Sequence, residues 1–334
     1  MSIKNTRLWK YLRDLKEKAL LKQRYRKLLN MPQSEYEDFV CELYKNMFDR
    51  FDFSRGQRMN FENPIDFTQK QQWLNLYDRD PRKSLYTDKY EVRKHIKEMV
   101  GEDYLVPLIS INGKDCFENV KEIDFNQLPN AFVIKCTHGS HMNVIVPDKS
   151  SLCKKDIKGI KKQLHKWLKT DYTFVSGLEL QYHYIKPRMV IEQYIATNGD
   201  LPDYKFFCFS GELKFMWIDT SRFTGHKRTV YDLDFNKAPY QFDVIPEVGD
   251  IEKPIHFEEM KQLSLKLCED FTFVRVDFYE ANGKLYFGEL TFSSHAGLMP
   301  PRPIEYNKIL GEYIKIDTSL RDNDYKYRKK QSEK

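Results

Sequence analysis

The sequence predicts an α+β protein in which amphipathic helices and separate β-hairpins pack into two or three subdomains. Three observations lead to this class. The chain has 334 residues, too many for one compact core, and 41% of them are hydrophobic. Residues 203–219 and 274–292 are rich in β-branched and aromatic residues and each contain a glycine turn. The first 85 residues contain helical periodicity but no βαβ pattern.

The first 30 residues carry an excess of positive charge. They hold ten Lys or Arg and two acids, a net charge of +8, whereas the whole chain carries +6, so the remainder sums to −2. A basic amphipathic helix of this kind suits an anionic membrane or an acidic polymer, or packs on the body with a solvated basic face. No nucleic-acid module accompanies the charge, so nucleic acid is not a predicted partner. The apolar positions of this predicted helix, which covers residues 3–29, are Leu8, Leu12, Leu15 and Ala19.

Composition also indicates where the protein works. The sequence has no apolar run of about 18 residues, so no transmembrane helix is predicted. Its N-terminus lacks the uninterrupted apolar core of a signal peptide. The six cysteines are scattered without a C-x-x-C pair, which predicts reduced thiols and argues against a disulfide framework or structural zinc. We therefore expect a cytoplasmic protein, with peripheral contact to the inner membrane face through its basic segment.

Helical periodicity continues beyond the basic segment, so residues 1–86 are predicted to form a helical N-terminal region. A helix follows this region. Thr87 or Asp88 is predicted to cap its start, and Gly101 to end it. The other elements predicted before residue 110 are helices over 34–51 and 67–77 and a strand over 104–109.

A lysine emerges from a predicted strand beside a loop of small residues. Lys135 belongs to the strand 131–136, the loop covers 137–143, and a second strand covers 144–146. Backbone N–H groups and one mobile cation make a phosphate cradle, although a strand-edge lysine gives the same pattern. The two histidines of the loop are three positions apart and are interpreted as loop residues, not as a metal pair.

The long hairpin over 203–219 is predicted to turn at Ser210-Gly211. Asp203 and Lys205 share one face of it because side chains alternate along a strand. A basic loop over 221–228 follows, and its hydrogen-bond donors suit a phosphate or a carboxylate. The other elements predicted in the second half of the chain are helices over 156–169 and 258–270, a strand over 188–195, and a charged, frayed tail from 321 to 334.

The hairpin over 274–292 carries one acid on each strand, Asp277 and Glu289. A two-residue turn at Asn282-Gly283 places Asp277 opposite Gly288 and sends Glu289 to the other face. A three-residue loop that starts at Ala281 keeps both acids on one face, so we expect that loop. Two converging carboxylates form an oxygen-rich Mg²⁺ site, whereas two unrelated acids at strand ends are the simpler alternative.

Several nucleotide-binding and catalytic motifs are absent. The sequence contains no Walker A segment, no G-x-G-x-x-G and no G-x-S-x-G. It does contain two D-x-D triplets, Asp78-Arg79-Asp80 and Asp232-Leu233-Asp234. D-x-D binds metal and nucleotide sugar in many glycosyltransferases, so a glycosyltransferase that uses Asp232 and Asp234 stays an alternative.

Seven segments follow one another between about residue 87 and residue 311: TDKYEVRKHI, FVIKCTHGS, RMVIEQYI, DYKFFCFSGELKF, RFTGHKR, FVRVDFY and GKLYFGELTF. In this order they resemble the ATP-grasp fold, and most closely the TupA-like (teichuronopeptide biosynthesis) ATP-grasp family. The resemblance implies two α+β subdomains that grip a nucleotide, a first (lid) subdomain over 87–195 and a second (metal-site) subdomain over 196–315, before a charged tail over 316–334.

The resemblance implies ATP and Mg²⁺ as cofactors and gives residues roles by position. Those that bind ATP are Lys89, Lys135, Ser140, Glu192, Gln193, Ile195 and Asp203. Those that face the phosphates or an acyl intermediate are Lys205, Arg222 and Arg275. The metal ligands are Asp277, Glu289 and Thr291. Thr291 stands where the family commonly has asparagine, and the usual preceding Rossmann-like domain is replaced here by helices.

The activity implied is ATP-dependent ligation of a carboxylate to an amine through an acyl phosphate, in cell-surface polysaccharide biosynthesis. The expected substrates lie on an acidic or lipid-linked glycan. The alternatives are the glycosyltransferase, a kinase on the same fold, and a binding protein without catalytic activity.

Overall fold

The computed structural model describes residues 31–50, 59–195, 201–221, 225–242, 249 and 251–332. The predicted basic helix over 3–29 and the predicted site residue Arg222 lie outside these ranges. No helix within the described ranges is long and apolar enough to cross a lipid bilayer.

Helices and strands alternate along the described chain, joined by turns and short 3₁₀ segments. The helices are α1 (Gln33–Arg50), α2 (Phe67–Tyr77), α3 (Pro81–Thr87), α4 (Val92–Met99), α5 (Lys154–Trp167), α6 (Thr173–Ser176), α7 (Phe257–Leu267), α8 (Tyr306–Gly311) and α9 (Ser319–Ser332). The strands are β1 (Cys116–Phe117), β2 (Phe132–Cys136), β3 (Asn143–Val146), β4 (Met189–Gln193), β5 (Asp203–Phe209), β6 (Glu212–Thr220), β7 (Lys227–Tyr231), β8 (Gln241–Phe242), β9 (Val274–Ala281), β10 (Lys284–Thr291) and β11 (Pro301–Arg302).

The smaller of the two main sheets is antiparallel, in the order β1-β4-β2-β3. Helix α5 packs against it through Leu164, which is fully buried with Phe132 and Ile134 of β2. The helix begins where it does because Asp156 accepts a hydrogen bond from the backbone N–H of Cys153 at 3.0 Å, so the first turn is capped. All strands of this sheet fall within the predicted first subdomain.

The larger sheet has the order β10-β9-β5-β6-β7 and is covered on both faces. Phe207 and Trp217 on one face pack with the N-terminal helices α1 and α2. Phe206 and Val276 on the other face pack with α7. Burial on both faces explains why β5 is apolar almost throughout, and it makes the two charged residues of β5, Asp203 and Lys205, exceptional.

Both predicted hairpins are present. The first turns at Ser210-Gly211, as predicted, with positive φ at both positions. The second turns at Asn282-Gly283, where φ is 54° and 71°, and Ala281 pairs with Lys284. The second turn therefore has two residues, and the expectation of a three-residue loop is wrong. Asn-Gly adopts the left-handed conformation at both positions at low cost, and this favours the tighter turn.

A bulge at Gly288 keeps the two acids together despite the two-residue turn. The register runs from Ala281–Lys284 to Phe278–Phe287, then shifts by one residue so that Glu289 pairs with Asp277. The extra residue is a glycine because a Cβ there would lie 3.0 Å from the carbonyl oxygen of Asp277. Because of the bulge, Glu289 lies on the same face as Asp277, whereas in a regular ladder it would lie on the opposite face.

Two predicted elements differ in the structure. The strand predicted over 104–109 is instead a 3₁₀ turn over Glu102–Tyr104 and a single bridge from Leu108 to Glu192. Pro107 lacks an N–H, so it cannot continue a regular ladder. The basic loop predicted over 221–228 ends earlier than expected, because β7 begins at Lys227.

The predicted frayed tail is a packed helix. Helix α9 buries Arg328 completely, and this guanidinium donates to Asp324 at 2.7 Å and to the backbone oxygen of Met31 at 3.0 Å. Arg321 of the same helix donates to Glu37 of α1 at 2.6 Å. The many charged residues of this segment predicted a solvated tail. That prediction is wrong, because charged side chains of α9 pair with each other and with Glu37 of α1.

Candidate active site

A cavity of about 220 Å³ lies between the two main sheets. Strands β2 and β4 supply residues from one side, and β5 and β10 supply residues from the other, so the cavity is a cleft of the predicted kind. The predicted site residues that line it are Lys89, Lys135, Ser140, Glu192, Asp203 and Glu289.

The paired acids meet at the larger-sheet side of this cleft. The Arg275 guanidinium donates to Asp277 through Nε at 2.7 Å and through Nη2 at 2.6 Å. The same Nη2 is 3.1 Å from Oε1 of Glu289 and 3.0 Å from the hydroxyl of Thr291. One arginine therefore joins both carboxylates, and Thr291 orients Glu289 by donating to its Oε1 at 3.0 Å.

A lysine sits behind the acids. Lys205 donates to Asp277 at 2.9 Å and pairs with Asp203 on its own strand, as the shared face predicted. Asp277 is 1% exposed, and burial raises its pKa to about 6 although Arg275 and Lys205 both favour the charged form. The carboxylate stays ionised at neutral pH because two cations contact it.

Glu289 has the opposite titration behaviour. Burial raises its pKa, but the charges of Lys89, Arg275 and Lys205 outweigh burial and lower the pKa to about 2. Its side chain is 37% exposed and lines the cleft. Glu289 therefore presents a fully ionised carboxylate to the cleft at any physiological pH.

The loop over 137–143 is tied to the helical side of the cleft. The Lys89 amine donates to the carbonyl oxygen of Gly139 at 2.8 Å, and its pKa is lowered by burial. A Cβ on Gly139 would lie 2.7 Å from the sulfur of Met142 and 2.8 Å from the ring of Tyr172, so alanine there would displace both side chains. His138 of the loop is buried, 3.0 Å from the carbonyl oxygen of Trp167, in a structural position.

The far end of the cleft joins an ion pair to an apolar wall. Lys135 contacts Glu192 at 2.5 Å, and Arg93 lies 3.8 Å from the other oxygen of Glu192. The apolar residues that line the cavity include Leu105, Val106, Met142 and Phe287. An apolar slot with a few polar groups at its edge suits a flat heterocycle.

The donor set at the paired acids fits a magnesium ion. No group of three or more His, Cys, Asp or Glu side chains among the described residues forms a complete metal site. Mg²⁺ in phosphoryl-transfer sites needs only one or two carboxylates, because water and substrate phosphates complete its coordination. Among the described residues, every hydrogen bond to Glu289 ends on Oε1. Glu289 is therefore a suitable ligand, with Thr291 beside it. Asp277 is 1% exposed and both of its oxygens accept hydrogen bonds from Arg275, so it would bind the metal only if that ion pair opened.

Some predicted site residues lie outside the cavity. Asp277, Lys205, Arg275 and Thr291 form the layer beside it, whereas Gln193, which is exposed, and Ile195 follow Glu192 at the end of β4.

Two basic residues that line the cleft were given no individual role from the sequence. His226 belongs to the predicted basic loop; it donates from Nε2 to Asp219 at 3.0 Å, and Asp219 also accepts from Arg228 at 2.7 Å. Arg93 is four residues after Lys89 in the helix that the sequence predicts from Thr87 or Asp88, and that spacing was the signal that could have identified it, although α4 itself begins at Val92.

The D-x-D triplets have structural roles. Asp232 accepts hydrogen bonds from the backbone N–H groups of Asp234 and Asn236, which closes a turn. Asp80 caps α3 by accepting from the N–H of Arg82 at 2.9 Å, and Asp78 pairs with Lys83 at 2.5 Å. None of these four aspartates lines the cleft.

Comparisons with solved structures give ligases of low sequence identity. A D-alanine–D-alanine ligase from Bacillus anthracis is 17% identical with a TM-score of 0.36, over 75% of this chain and 69% of that one. An L-amino acid ligase from Bacillus licheniformis is 12% identical with a TM-score of 0.39, over 78% of this chain and 56% of that one. No curated protein matches the chain.

A family model gives the decisive comparison. The model described as TupA-like ATPgrasp matches residues 69–315, which is most of the chain and includes both main sheets and the cleft. The predicted resemblance is thereby confirmed, and with it the α+β ATP-grasp fold. The chain belongs to the TupA-like ATP-grasp family.

Proposed function

We propose that the protein is an ATP-dependent carboxylate–amine ligase that works in cell-surface polysaccharide biosynthesis. The observation that carries the proposal is the pairing of Glu289 with Asp277 through Arg275, at the edge of a cleft that also presents Lys89 and Lys135. Phosphoryl transfer needs mainly positioning and neutralisation of charge, and these side chains supply both.

The proposed reaction has two steps. A substrate carboxylate attacks the γ-phosphorus of ATP, the bond to the β-phosphate oxygen breaks, and ADP leaves. An amine then attacks the acyl carbon and forms the C–N bond, phosphate leaves with the electron pair of the C–O bond, and the proton that the amine loses passes to the departing phosphate. Bound Mg²⁺ would supply charge neutralisation between the phosphates and the acids.

The chain's own residues orient the substrates. In this proposal Lys89 and Lys135 hold the phosphates, with Ser140 in the loop that covers them. Arg275 and Lys205 neutralise the negative charge that develops on the acyl phosphate. The residues proposed to hold adenine and ribose are Glu192, Gln193, Ile195 and Asp203. Arg222 would act on the same phosphates.

A hydroxylamine trap tests the proposal. Protein, MgATP and hydroxylamine are incubated with a panel of amino acids and uronic acids, and hydroxamate and ADP are measured. We expect one carboxylate class to give both products in equal amounts. The Asp277→Asn variant should lose about 100-fold in rate, the loss typical when one electrostatic contact to the transition state is removed.

The Asp232→Asn variant is the matched control, because Asp232 lies in a turn outside the cleft. It should retain the wild-type rate. ADP with a stable phosphoester and no hydroxamate would indicate a kinase instead. Hydrolysis of a UDP-sugar that only Asp232→Asn abolishes would indicate the glycosyltransferase.

We also propose that residues 1–30 hold the enzyme at an anionic membrane surface, where a lipid-linked glycan would be presented. The support is their net charge of +8 within a chain of +6. Co-sedimentation with phosphatidylserine vesicles tests this. Binding should disappear when residues 1–30 are deleted, and a deletion variant that still binds would refute it.

A further inference from the structure

A second cavity, of about 340 Å³, lies apart from the nucleotide cleft. Helices α2 and α3 line one side, and Tyr327 of α9 and the segment around Leu180 line the others. Phe292, which directly follows Thr291, forms part of the wall. The volume is within the range of about 300–1,000 Å³ of small-molecule sites. The cavity therefore adjoins the end of the catalytic strand β10 on the side of the N-terminal helices.

The charges that line this cavity are already paired within the protein. Lys83 contacts Asp78 at 2.5 Å, and Arg79 contacts Asp324 at 2.8 Å. The remaining acid, Asp80, pairs with Arg82 at 2.6 Å. A phosphate or polyanion would have to compete with these carboxylates for the cations. The lining therefore favours a neutral ligand over an anion.

Two tyrosines form an aromatic rim. Tyr184 is 49% exposed and Tyr327 is 36% exposed, whereas Phe292 below them is buried. Exposed aromatic rings present an apolar face with a polar edge. A pyranose ring has the matching surface, because its C–H groups cluster on one face while its hydroxyls point outward.

Two amide side chains on α2 are buried near this cavity. Asn75 lines the cavity and is 6% exposed, yet its Nδ2 has no hydrogen-bond partner among the described residues. One turn earlier, both amide atoms of Gln71, which is 2% exposed, also have none there. Buried polar groups are almost always paired, so Asn75 indicates a polar occupant of the cavity, whereas Gln71 does not line it. The next residue, Gln72, donates to the carbonyl oxygen of Gly297 at 2.8 Å. Gln72 therefore joins α2, which lines the cavity, to the loop after β10.

We propose that this cavity is a saccharide-binding site, with Tyr184 and Tyr327 stacking on a sugar ring and Asn75 hydrogen-bonding to its hydroxyls. Its use as the site for the glycan part of a ligase substrate rests on the proposed function, whereas sugar binding itself does not.

Saturation-transfer NMR and calorimetry test the site with glucose, galactose, N-acetylglucosamine and methyl glucuronide as probes on the full chain. We expect at least one probe to bind. Tyr184→Ala and Tyr327→Ala should each weaken that binding by about tenfold, because each removes an aromatic contact.

Tyr325→Ala is the matched control. The guanidinium of Arg79 lies over one face of the Tyr327 ring, 5.0 Å from its centroid, so a sugar would stack on the other face. Tyr325 lies on the same helix, is 38% exposed and likewise has an arginine over its ring, but it does not line the cavity. It should leave sugar binding within about twofold. All three variants should keep the stabilisation by MgATP, which shows that they are folded with an intact cleft.

Two results would overturn the proposal. One is that no probe binds the wild-type protein, and the other is that the Tyr325 variant loses as much affinity as the Tyr327 variant. If sugars bind as expected while the hydroxylamine trap gives no product, the saccharide site stands and the proposed ligase activity fails.

Discussion

Gly288→Ala tests whether the bulge in β10 creates the acidic pair. The new Cβ would lie 3.0 Å from the carbonyl oxygen of Asp277 and 3.1 Å from the ring of Tyr279. Backbone atoms cannot move away as a flexible side chain can, so the strand must shift. Such overpacking costs about 1–3 kcal/mol. At roughly 2–4 °C per kcal/mol for domains of about 150–250 residues, the variant should melt several degrees lower and remain folded.

The larger effect should be on nucleotide binding. MgATP at 100 times its dissociation constant should add about 2.7 kcal/mol to the free energy of unfolding of the wild type, and thermal unfolding measures this gain. Gly288→Ala should lose most of this gain, because Glu289 is displaced from Asp277. Gly159→Ala is the control: Gly159 lies in α5, and a Cβ added there would meet no neighbouring atom within 4 Å, so alanine should stabilise by about 0.5–1 kcal/mol. A Gly288 variant with the full MgATP gain would refute the reasoning.

Three further predictions concern residues outside the nucleotide cleft. Arg328→Met should cost about 3–5 kcal/mol in urea unfolding, because it leaves Asp324 without one partner of a buried ion pair; a cost below about 1 kcal/mol would contradict this. Burial raises the pKa of Glu179 to about 7 from an ordinary 4.5. The protonated form therefore stabilises the fold below pH 4.5, and this contribution is lost as the pH rises through 7. The Tm of Glu179→Gln minus that of the wild type should accordingly rise from pH 5 to pH 8. A difference that does not change with pH would contradict this prediction. Asp232→Ala should cost about 1 kcal/mol through its turn and leave stabilisation by MgATP unchanged; loss of that stabilisation would place Asp232 in the site.

The sequence was most informative where one local rule decides the structure. The turns at Ser210-Gly211 and Asn282-Gly283 follow from residues that accept positive φ, and α2 occupies the range 67–77 that was predicted for it. The shared face of Asp203 and Lys205 follows from strand alternation alone.

The acidic pair was predicted through the wrong loop. Asp277 and Glu289 do share a face, but the register shift at Gly288 brings them together, not a three-residue turn. A glycine inside a strand is a recognised sign of a bulge, so Gly288 carried the information. The register itself depends on how the strand packs, which spacing rules do not express.

Other features depend on contacts between distant segments. Asp324, one partner of the buried Arg328, is four residues earlier on the same helix, but the other, the carbonyl of Met31, is almost 300 residues away. Charge density in the tail predicted solvent exposure, because the pairing of charged groups with distant parts of the fold leaves no local pattern.

The packing of α9 against α1 makes the two ends of the described chain one structural unit. Arg321 binds Glu37, Arg328 binds the backbone of Met31, and Tyr327 closes the second cavity. A fragment trimmed to the family limits 69–315 would lose both helices together and open that cavity to solvent. A truncation that removes either α1 or α9 therefore also removes contacts that hold the other helix in place.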